Sequence, residues 1–281
     1  MQQYTTDPTD NFVFNLLDLL ARFRLVSEEQ LCAYFDREVL DLETLEDHRV
    51  IVIRKVPLLE GEPIRLVALT RHGAKTLAMQ TGQDSSEMHS FTPSTLKRSL
   101  FTVEHSLAIT ELGLALFKLE SSEGVSLIHW ETSPQKIGDS VILETRKGFI
   151  RVPLVADAFF GLSQDGAEQW FLVEVDRGTT TIPRMKRKLE GYSLWWRNRG
   201  HVERFGVKNL RLLTIVSTEK RLQKLIEATV DVTEGKGAGF FWFTLQENIS
   251  IKKPEKLFSE IWRTAKEPNY FQSLHTRCSG P

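Results

Sequence analysis

Cysteine is nearly absent from this chain, which has Cys32 and Cys278 among 281 residues. Two cysteines so far apart form neither a disulfide framework nor the paired spacing of a zinc site, and they fit a reducing cytoplasm. Long apolar runs are also lacking, and the polar start MQQYTTDPTD carries no signal-peptide pattern. These absences predict a cytoplasmic protein with no membrane partner.

An excess of positive charge is lacking too, because 36 Lys and Arg residues stand against 37 Asp and Glu residues, for a formal net charge of −1. This balance excludes a uniformly basic nucleic-acid binder, but it leaves room for a local basic patch. The glycine-containing segment EGKGAG (234–239) lacks the spacing of a Walker phosphate loop and is interpreted as a flexible loop. A basic patch does occur within 177–204, which contains Arg184, Lys186, Arg187, Lys188, Arg197, Arg199 and Arg204.

The first part of the chain predicts three helices followed by a hairpin. Apolar residues recur at helical spacing in 12–23, a capping box S-E-E-Q begins a second helix at Ser27, and a third helix is predicted over 38–48. Two β-rich runs, 50–56 and 64–69, then form the expected hairpin, and a further helix follows it. Three helices plus a hairpin are typical of a winged-helix domain, a relative of helix-turn-helix.

The rest of the chain mixes helices and strands. We place a winged-helix domain in residues 1–80, a polar linker in 81–94 and a second domain in 95–281. The second domain begins with a long amphipathic helix over 95–119. After this helix the pattern predicts strands at 126–130, 140–145, 149–155, 170–175, 210–216 and 240–244, with helices at 182–199, 217–229 and 256–264.

Three acidic residues lie at the ends of two strand candidates of the second domain. Asp157 follows an apolar run, and Glu174 and Asp176 stand two apart in the run W-F-L-V-E-V-D, so they share one strand face. If the two strands pair in antiparallel fashion, Asp157 reaches the same place. Three carboxylates repel one another unless a cation balances them, and such hard ligands suit Mg²⁺ or Mn²⁺. The alternative is a solvated strand face without a metal.

Several short motifs resemble a known family. VADAFF (155–160), FLVEVDRGT (171–179) and KLEGY (188–192), together with EHSLAITEL (104–112) and LTRHGAKTL (69–77), are similar to the replication-relaxation family. The order helix, three strands, helix, strand also resembles the PD-(D/E)XK nuclease superfamily. Members of the replication-relaxation family are associated with plasmids and mobile elements, and they carry a winged helix before a nuclease-like domain.

The resemblance, which covers about 14–216, implies an α/β (α+β) fold: an N-terminal winged helix-turn-helix followed by a restriction-endonuclease-like αβββαβ domain. It implies that Asp157 and Glu174 bind the metal. Asp176 occupies the position where the superfamily places a lysine, so we assign it as a further ligand. Lys188, on the following helix, can replace that lysine and orient the water, and the catalytic set is then Asp157, Glu174, Asp176 and Lys188. The alternative for Lys188 is a solvated basic residue.

DNA contacts are predicted at five basic residues, because phosphate binding requires positive charge. The predicted third helix is mainly acidic, so the winged helix contacts either DNA through its hairpin or a protein partner, and a homodimer is expected by analogy. The leading function is a DNA-acting, divalent-metal-dependent nuclease-like protein of plasmid or mobile-element replication or mobilisation. The alternatives are a non-catalytic DNA-binding regulator and a protein-interaction adaptor. The predicted DNA-binding residues are Arg54, Lys55, Arg71, Arg184 and Arg187.

Overall fold

The computed structural model describes residues 8–57, 61–86, 88–90, 100–120, 124–146, 148–234, 239–266 and 271–274. The chain is mixed α/β and divides into two compact units, Met1–Glu111 and Leu112–Pro281. The division falls inside a long helix rather than in the polar segment 81–94, so the linker placed there stays a prediction. Across the described ranges, no helix is both long and apolar enough to span a bilayer. Cys278 and most of EGKGAG lie outside those ranges.

The first unit combines helices with a small antiparallel sheet in the strand order β1-β3-β2. Leu16 and Leu20 of its first helix and Val67 of its middle strand are fully buried, so one apolar face of that helix covers the sheet. The elements in chain order are α1 (Pro8–Arg22), β1 (Val26–Ser27), α2 (Glu28–Tyr34), α3 (Glu43–Asp47), β2 (Ile51–Val56), β3 (Ile64–Leu69), α4 (Arg71–Thr81) and the beginning of α5 (Leu100–Leu119).

Local capping fixes where two of these helices begin. The Ser27 hydroxyl accepts a hydrogen bond from the Gln30 backbone N–H at 3.1 Å, and the Gln30 side chain accepts one from the Ser27 N–H at 3.2 Å. This confirms the capping box predicted from the sequence. Thr70 caps α4 by accepting a hydrogen bond from the Gly73 N–H at 2.9 Å.

The predicted third helix is shorter than the sequence indicated. Only Glu43–Asp47 is helical, whereas the prediction over 38–48 was wrong for the first part of that range. Leu40 and Leu42 are buried while Val39 is 79% exposed, which is the alternation of an extended chain rather than of a helix. Alternate burial of the two leucines therefore outweighs helix propensity in this segment.

The second unit contains a seven-stranded sheet among its described residues, in the order β12-β11-β10-β9-β8-β7-β4. Strand β8 lies beside the central strand β9, and it runs antiparallel to β7 and parallel to β9. The elements after α5 are β4 (Val125–Glu131), α6 (Pro134–Ile137), β5 (Asp139–Thr145), β6 (Gly148–Leu154), β7 (Ala158–Gln164), β8 (Ala167–Asp176), α7 (Ile182–Arg197), α8 (Gly200–Phe205), β9 (Leu210–Val216), α9 (Glu219–Val232), β10 (Phe241–Leu245), two short 3-10 turns (Gln246–Asn248 and Pro254–Phe258), β11 (Trp262–Thr264) and β12 (Phe271–Gln272).

Helices α7 and α9 cover one face of this sheet. Leu189 of α7 and Leu225 of α9 share a buried core with Leu172 of β8 and Leu212 of β9. Because side chains alternate along a strand, Glu174 and Asp176 project to the same helix-covered face as Leu172. The acidic residues of β8 therefore lie beneath helices rather than on a solvated sheet surface.

The antiparallel partner of β8 differs from the one expected. The strand predicted over 149–155 forms β6, which pairs only with β5 in a separate two-stranded sheet within the described residues. Pro153 removes one backbone donor from β6, which disfavours a central position, and the hairpin packs on α7 instead. The partner of β8 is β7, a strand that the sequence pattern did not predict, and it is joined to β8 by a tight turn at Asp165 and Gly166.

The final predicted helix, 256–264, was also wrong. The chain forms a 3-10 turn over Pro254–Phe258 and then strand β11. Trp262 and Thr264 are buried on either side of Arg263, which is the period-two pattern of a strand. The neighbouring strand β10 pairs with β11, and this pairing supplies the tertiary context that a local pattern lacks.

Candidate acidic site

Glu174 lies near the end of β8 and is held by two side chains from α7. Lys188 Nζ donates to Glu174 Oε2 at 2.6 Å, and the Tyr192 hydroxyl donates to Glu174 Oε1 at 2.6 Å. Lys188 and Tyr192 stand four residues apart, so one helix face presents both donors to the strand. The sheet therefore holds a carboxylate whose two oxygens are each bound by a different side chain.

The surroundings shift the titration of this carboxyl. Burial raises the pKa of Glu174 from 4.5 to about 6, and the negative charge of Asp157 adds to the rise, while Lys188 and Tyr192 act in the opposite direction. Burial and the charge of Glu174 likewise raise the pKa of the Tyr192 hydroxyl well above its usual value of 10. Tyr192 is thus a neutral donor, and the shift moves the pKa of Glu174 to about 6.

Asp157 stands directly before β7, beside the end of β8. Its backbone N–H donates to the Val173 carbonyl at 2.7 Å, and its carboxylate Oδ2 accepts from the Val175 N–H at 2.8 Å. The two β8 residues that bind Asp157 stand directly before and after Glu174, so these bonds hold Asp157 beside Glu174. The antiparallel approach expected from the sequence therefore occurs, although β7 rather than β6 provides it.

Asp176 has a different partner. Its Oδ2 accepts from Arg221 of α9 at 2.6 Å through Nη2 and at 3.1 Å through Nε, and its Oδ1 accepts from the Gly178 N–H at 2.7 Å. Arg221 also donates to the Thr180 carbonyl at 2.6 Å, which links the β8–α7 turn to α9. The structure thus brings Asp157, Glu174 and Lys188 together, and it ties Asp176 to a separate cation.

The donor chemistry of the site fits a divalent cation at two carboxylates. Mg²⁺ is commonly held by one or two carboxylates, with water and substrate phosphate completing its shell. Asp157 and Glu174 offer such oxygens, and a carboxylate oxygen that accepts one hydrogen bond keeps further lone pairs. In the ranges that the structure describes, however, no three His, Cys, Asp or Glu side chains are grouped around one position. Asp176, engaged by Arg221, does not fit the ligand set.

The predicted DNA-binding residues of the second unit are exposed on the outer side of α7. Arg184 and Arg187 are both accessible to solvent there. Lys186, which lies between them, forms an ion pair with Asp231 of α9. The basic patch is therefore present on α7, and one of its lysines is already neutralised by an acidic side chain.

The predicted DNA-binding residues of the first unit are placed differently. Arg54 of β2 donates to the Ile53 carbonyl at 2.7 Å and lies 3.5 Å from Glu46 of α3. Lys55 and Arg71 are exposed. Part of the positive charge of the hairpin is therefore balanced within the unit by the acidic third helix.

Sequence reasoning missed Arg221. This arginine lies in the first turn of α9, and no motif or local spacing connects it with Asp176. Tyr192 could be found, because it follows Lys188 by one helical turn within KLEGY. The difference is that one partner lies inside a local motif and the other reaches the strand only through the tertiary fold.

Comparison with known proteins agrees with these motifs. The family model described as replication-relaxation matches residues 17–209, which is more than half of the chain. The chain therefore belongs to the replication-relaxation family. No curated protein and no solved structure matches the chain. The matched region contains Asp157, Glu174, Lys188 and Tyr192, and it ends before β9 and α9.

Proposed function

We propose that this protein acts on DNA in the replication or mobilisation of plasmids or other mobile elements, as a divalent-metal-dependent, nuclease-like protein. Its working groups are Asp157, Glu174 and Lys188. Membership of the replication-relaxation family supports the biological setting. The observation that carries the chemistry is a buried carboxylate, Glu174, surrounded by Lys188, Tyr192 and Asp157. Perturbed ionisable groups of this kind concentrate at functional sites.

The order of elements supports a nuclease-like domain. From α5 onward the chain runs helix, three antiparallel strands (β4, β7, β8), helix α7 and the parallel strand β9, with the β5–β6 hairpin as an addition. This order corresponds to the αβββαβ arrangement implied by the resemblance. In the first unit, helices followed by the β2–β3 hairpin support a winged helix.

Each side chain has a defined task in the proposed mechanism. A cation held by Asp157 and Glu174 would stabilise negative charge on a phosphate and lower the pKa of a bound water. Tyr192 holds one oxygen of Glu174, and the Val175 N–H holds Asp157, so both carboxylates are positioned before DNA arrives. Lys188, whose side chain is 25% exposed, would supply positive charge for the phosphate.

A second candidate is a non-catalytic DNA-binding regulator with a degenerate nuclease fold. It is favoured by the hydrogen bonds that Lys188 and Tyr192 donate to the two oxygens of Glu174, because these donors hold the buried carboxylate without a metal. The basic face of α7, with Arg184 and Arg187, would then carry the function.

The protein-interaction adaptor has less support. Glu43 and Glu46 form ion pairs within the first unit, which leaves less acidic surface on α3 for a partner.

The first experiment compares cleavage of supercoiled plasmid and single-stranded DNA by the wild type, Glu174→Gln and Glu190→Gln, with Mg²⁺ or Mn²⁺. Glu190 lies on α7 with an exposed side chain, so Glu190→Gln is the matched control. Cleavage that is lost in Glu174→Gln and kept in Glu190→Gln supports the nuclease. An inactive wild type that still shifts DNA, with the shift lost in Arg184→Gln/Arg187→Gln, supports the regulator. A protein that neither cleaves nor binds DNA supports the adaptor.

A further inference from the structure

Thr214, in the middle of β9, has an unexplained hydroxyl. Its side chain is fully buried, and its Oγ1 has no hydrogen-bond partner among the described residues. Buried hydroxyls are normally paired, because an unpaired one loses the hydrogen bonds that it makes to water in the unfolded chain. An unpaired hydroxyl at the centre of a sheet destabilises the fold, so its presence requires a physical explanation.

The position of Thr214 supplies one. In the parallel pairing of β8 with β9, Thr214 stands directly beside Glu174. Paired residues of neighbouring strands project to the same face, so the Thr214 side chain lies on the same helix-covered side of the sheet as the Glu174 side chain. The flanking pair Leu172 and Leu212, on the same face, packs in the core beneath α7.

The two present donors to Glu174 differ in their freedom to move. Tyr192 is 1% exposed and packs within the core, so its hydroxyl stays with the carboxylate. The Lys188 side chain is 25% exposed, and its Nζ also donates to the Val155 carbonyl at 3.0 Å. A lysine is a flexible point charge, so a phosphate in the site would compete with Glu174 for Lys188.

We propose that Thr214 is a positioning residue whose hydroxyl becomes a hydrogen-bond donor to Glu174 when Lys188 Nζ moves to the phosphate of a bound DNA strand. The arrival of a phosphate rests on the proposed function, whereas the exchange of donors can be tested without DNA. In the resting protein Lys188 and Tyr192 satisfy the two carboxylate oxygens. After Lys188 leaves, the Thr214 hydroxyl takes its place, so the buried carboxylate still has two hydrogen-bond donors.

The test is a double-mutant cycle on the full chain, with stability measured by urea unfolding. Thr214→Val removes the hydroxyl and keeps the shape, and Lys188→Met removes the competing donor and keeps the length. Expected is a midpoint that Thr214→Val leaves unchanged or raises in the wild-type background, because an unpaired polar group is replaced by an apolar one. In the Lys188→Met background, Thr214→Val lowers the midpoint, because there the hydroxyl has taken the place of Lys188.

Two outcomes overturn the proposal. Thr214→Val that lowers the midpoint equally in both backgrounds shows a hydroxyl already partnered in the resting protein, and no lowering in either background shows that it does not reach Glu174. Thr244→Val is the matched control, because Thr244 is a buried strand threonine that donates to the Ile261 carbonyl at 2.9 Å. We expect Thr244→Val to lower the unfolding midpoint by a similar amount in the wild-type and Lys188→Met backgrounds. If Lys188→Met does not fold, a lowered midpoint for Thr214→Val alone already overturns the proposal.

A second measurement ties the exchange to DNA. If the wild type cleaves DNA, Thr214→Val lowers kcat by about tenfold with little change in KM, which corresponds to one hydrogen bond to a charged group. An unchanged kcat overturns the role of Thr214 in the reaction. A wild type without cleavage contradicts the nuclease and leaves the stability cycle as the deciding result for the donor exchange.

Discussion

The ion pairs of Arg65 in the first unit and those of Glu174 and Asp176 in the second unit lie in different surroundings. In the first unit, Arg65 contacts Glu28 and Glu43 at 2.8 Å each, and the Arg65, Glu28 and Glu43 side chains are 42%, 21% and 63% exposed. In the second unit, the carboxylates of Glu174 and Asp176 are 7% and 4% exposed. Water screens the first set of charges and is largely excluded from the second.

This difference indicates where specific chemistry is concentrated. Exposed pairs contribute little to stability, so they can arise wherever a helix and a hairpin bring opposite charges together. Burying a carboxylate is costly unless partners surround it, and two of them on one strand require a dedicated set of donors. The second unit meets that requirement with Lys188, Tyr192 and Arg221, and the following predictions test the contrast in order of expected effect.

The largest expected effect is at Arg221. Arg221→Met leaves Asp176 buried without its guanidinium partner, and we expect the free energy of unfolding to fall by about 3 kcal/mol. Urea unfolding measures this loss. The control is Arg263 of β11, which pairs at 2.5 Å with Glu219 of α9, the helix that also carries Arg221. The Glu219 side chain is 55% exposed. Arg263→Met is expected to cost less than about 1 kcal/mol, and equal losses in the two variants would contradict the comparison.

Lys188 is expected to come next. Lys188→Met removes the cation from Glu174 while Tyr192 remains, and we expect a loss of about 2 kcal/mol because Lys188 is itself partly exposed. Lys186→Met is the control two residues away, since its pair with Asp231 lies at the surface. Thermal or urea unfolding of both variants gives the difference in stability. If Lys188→Met loses less stability than Lys186→Met, the prediction is wrong.

The third prediction concerns pH. The folded-state pKa of Glu174 is raised from 4.5 to about 6, so the folded protein holds this proton more tightly than the unfolded chain does. Its stabilising contribution is complete below pH 4.5 and is lost as the pH rises through 6. Relative to Glu174→Gln, the wild type should therefore lose about 2 kcal/mol of unfolding free energy between pH 4.5 and pH 7. Parallel pH profiles for the two proteins would exclude this shift.

The smallest effect is expected in the first unit. Arg65→Met removes two solvent-accessible ion pairs at once, and we expect a loss of no more than about 1 kcal/mol. Repeating the measurement in 1 M NaCl should reduce the difference from the wild type, because salt screens exposed charges. A large, salt-independent loss would show that these pairs stabilise the unit as strongly as the buried ones stabilise β8.

Local patterns predicted much of this structure. The capping box at Ser27, the hairpin of β2 and β3, strand β9 and helix α7 all depend on residues that lie near each other in sequence. The motif residues Asp157, Glu174 and Lys188 could be selected for the same reason, because acidic spacing on a strand and basic spacing on a helix are visible in the sequence. Their roles in cleavage, and a homodimer, stay predictions.

The remaining features depend on contacts between distant segments. Strand β7 was missed because F-F-G-L-S-Q lacks regular alternation, and its pairing on both sides, with β4 and β8, makes it a strand. The sequence could not predict that Asp176 and Glu174 bind different cationic side chains, because the partner of Asp176 is Arg221 of the distant helix α9. Two acids on one strand face share a direction, but the helices above them decide whether they share a cation.

The parallel pairing of β8 with β9 has a consequence for the growing chain. Glu174, Lys188 and Tyr192 are synthesised before Thr214 and Arg221, so the acidic strand lacks its later neighbours until β9 and α9 leave the ribosome. We therefore expect a chain that stops after Phe205 to keep Glu174 and Asp176 hydrated and the sheet open, which rapid proteolysis of that fragment would reveal. Synthesis order thus delays the completed site until the full sheet has formed.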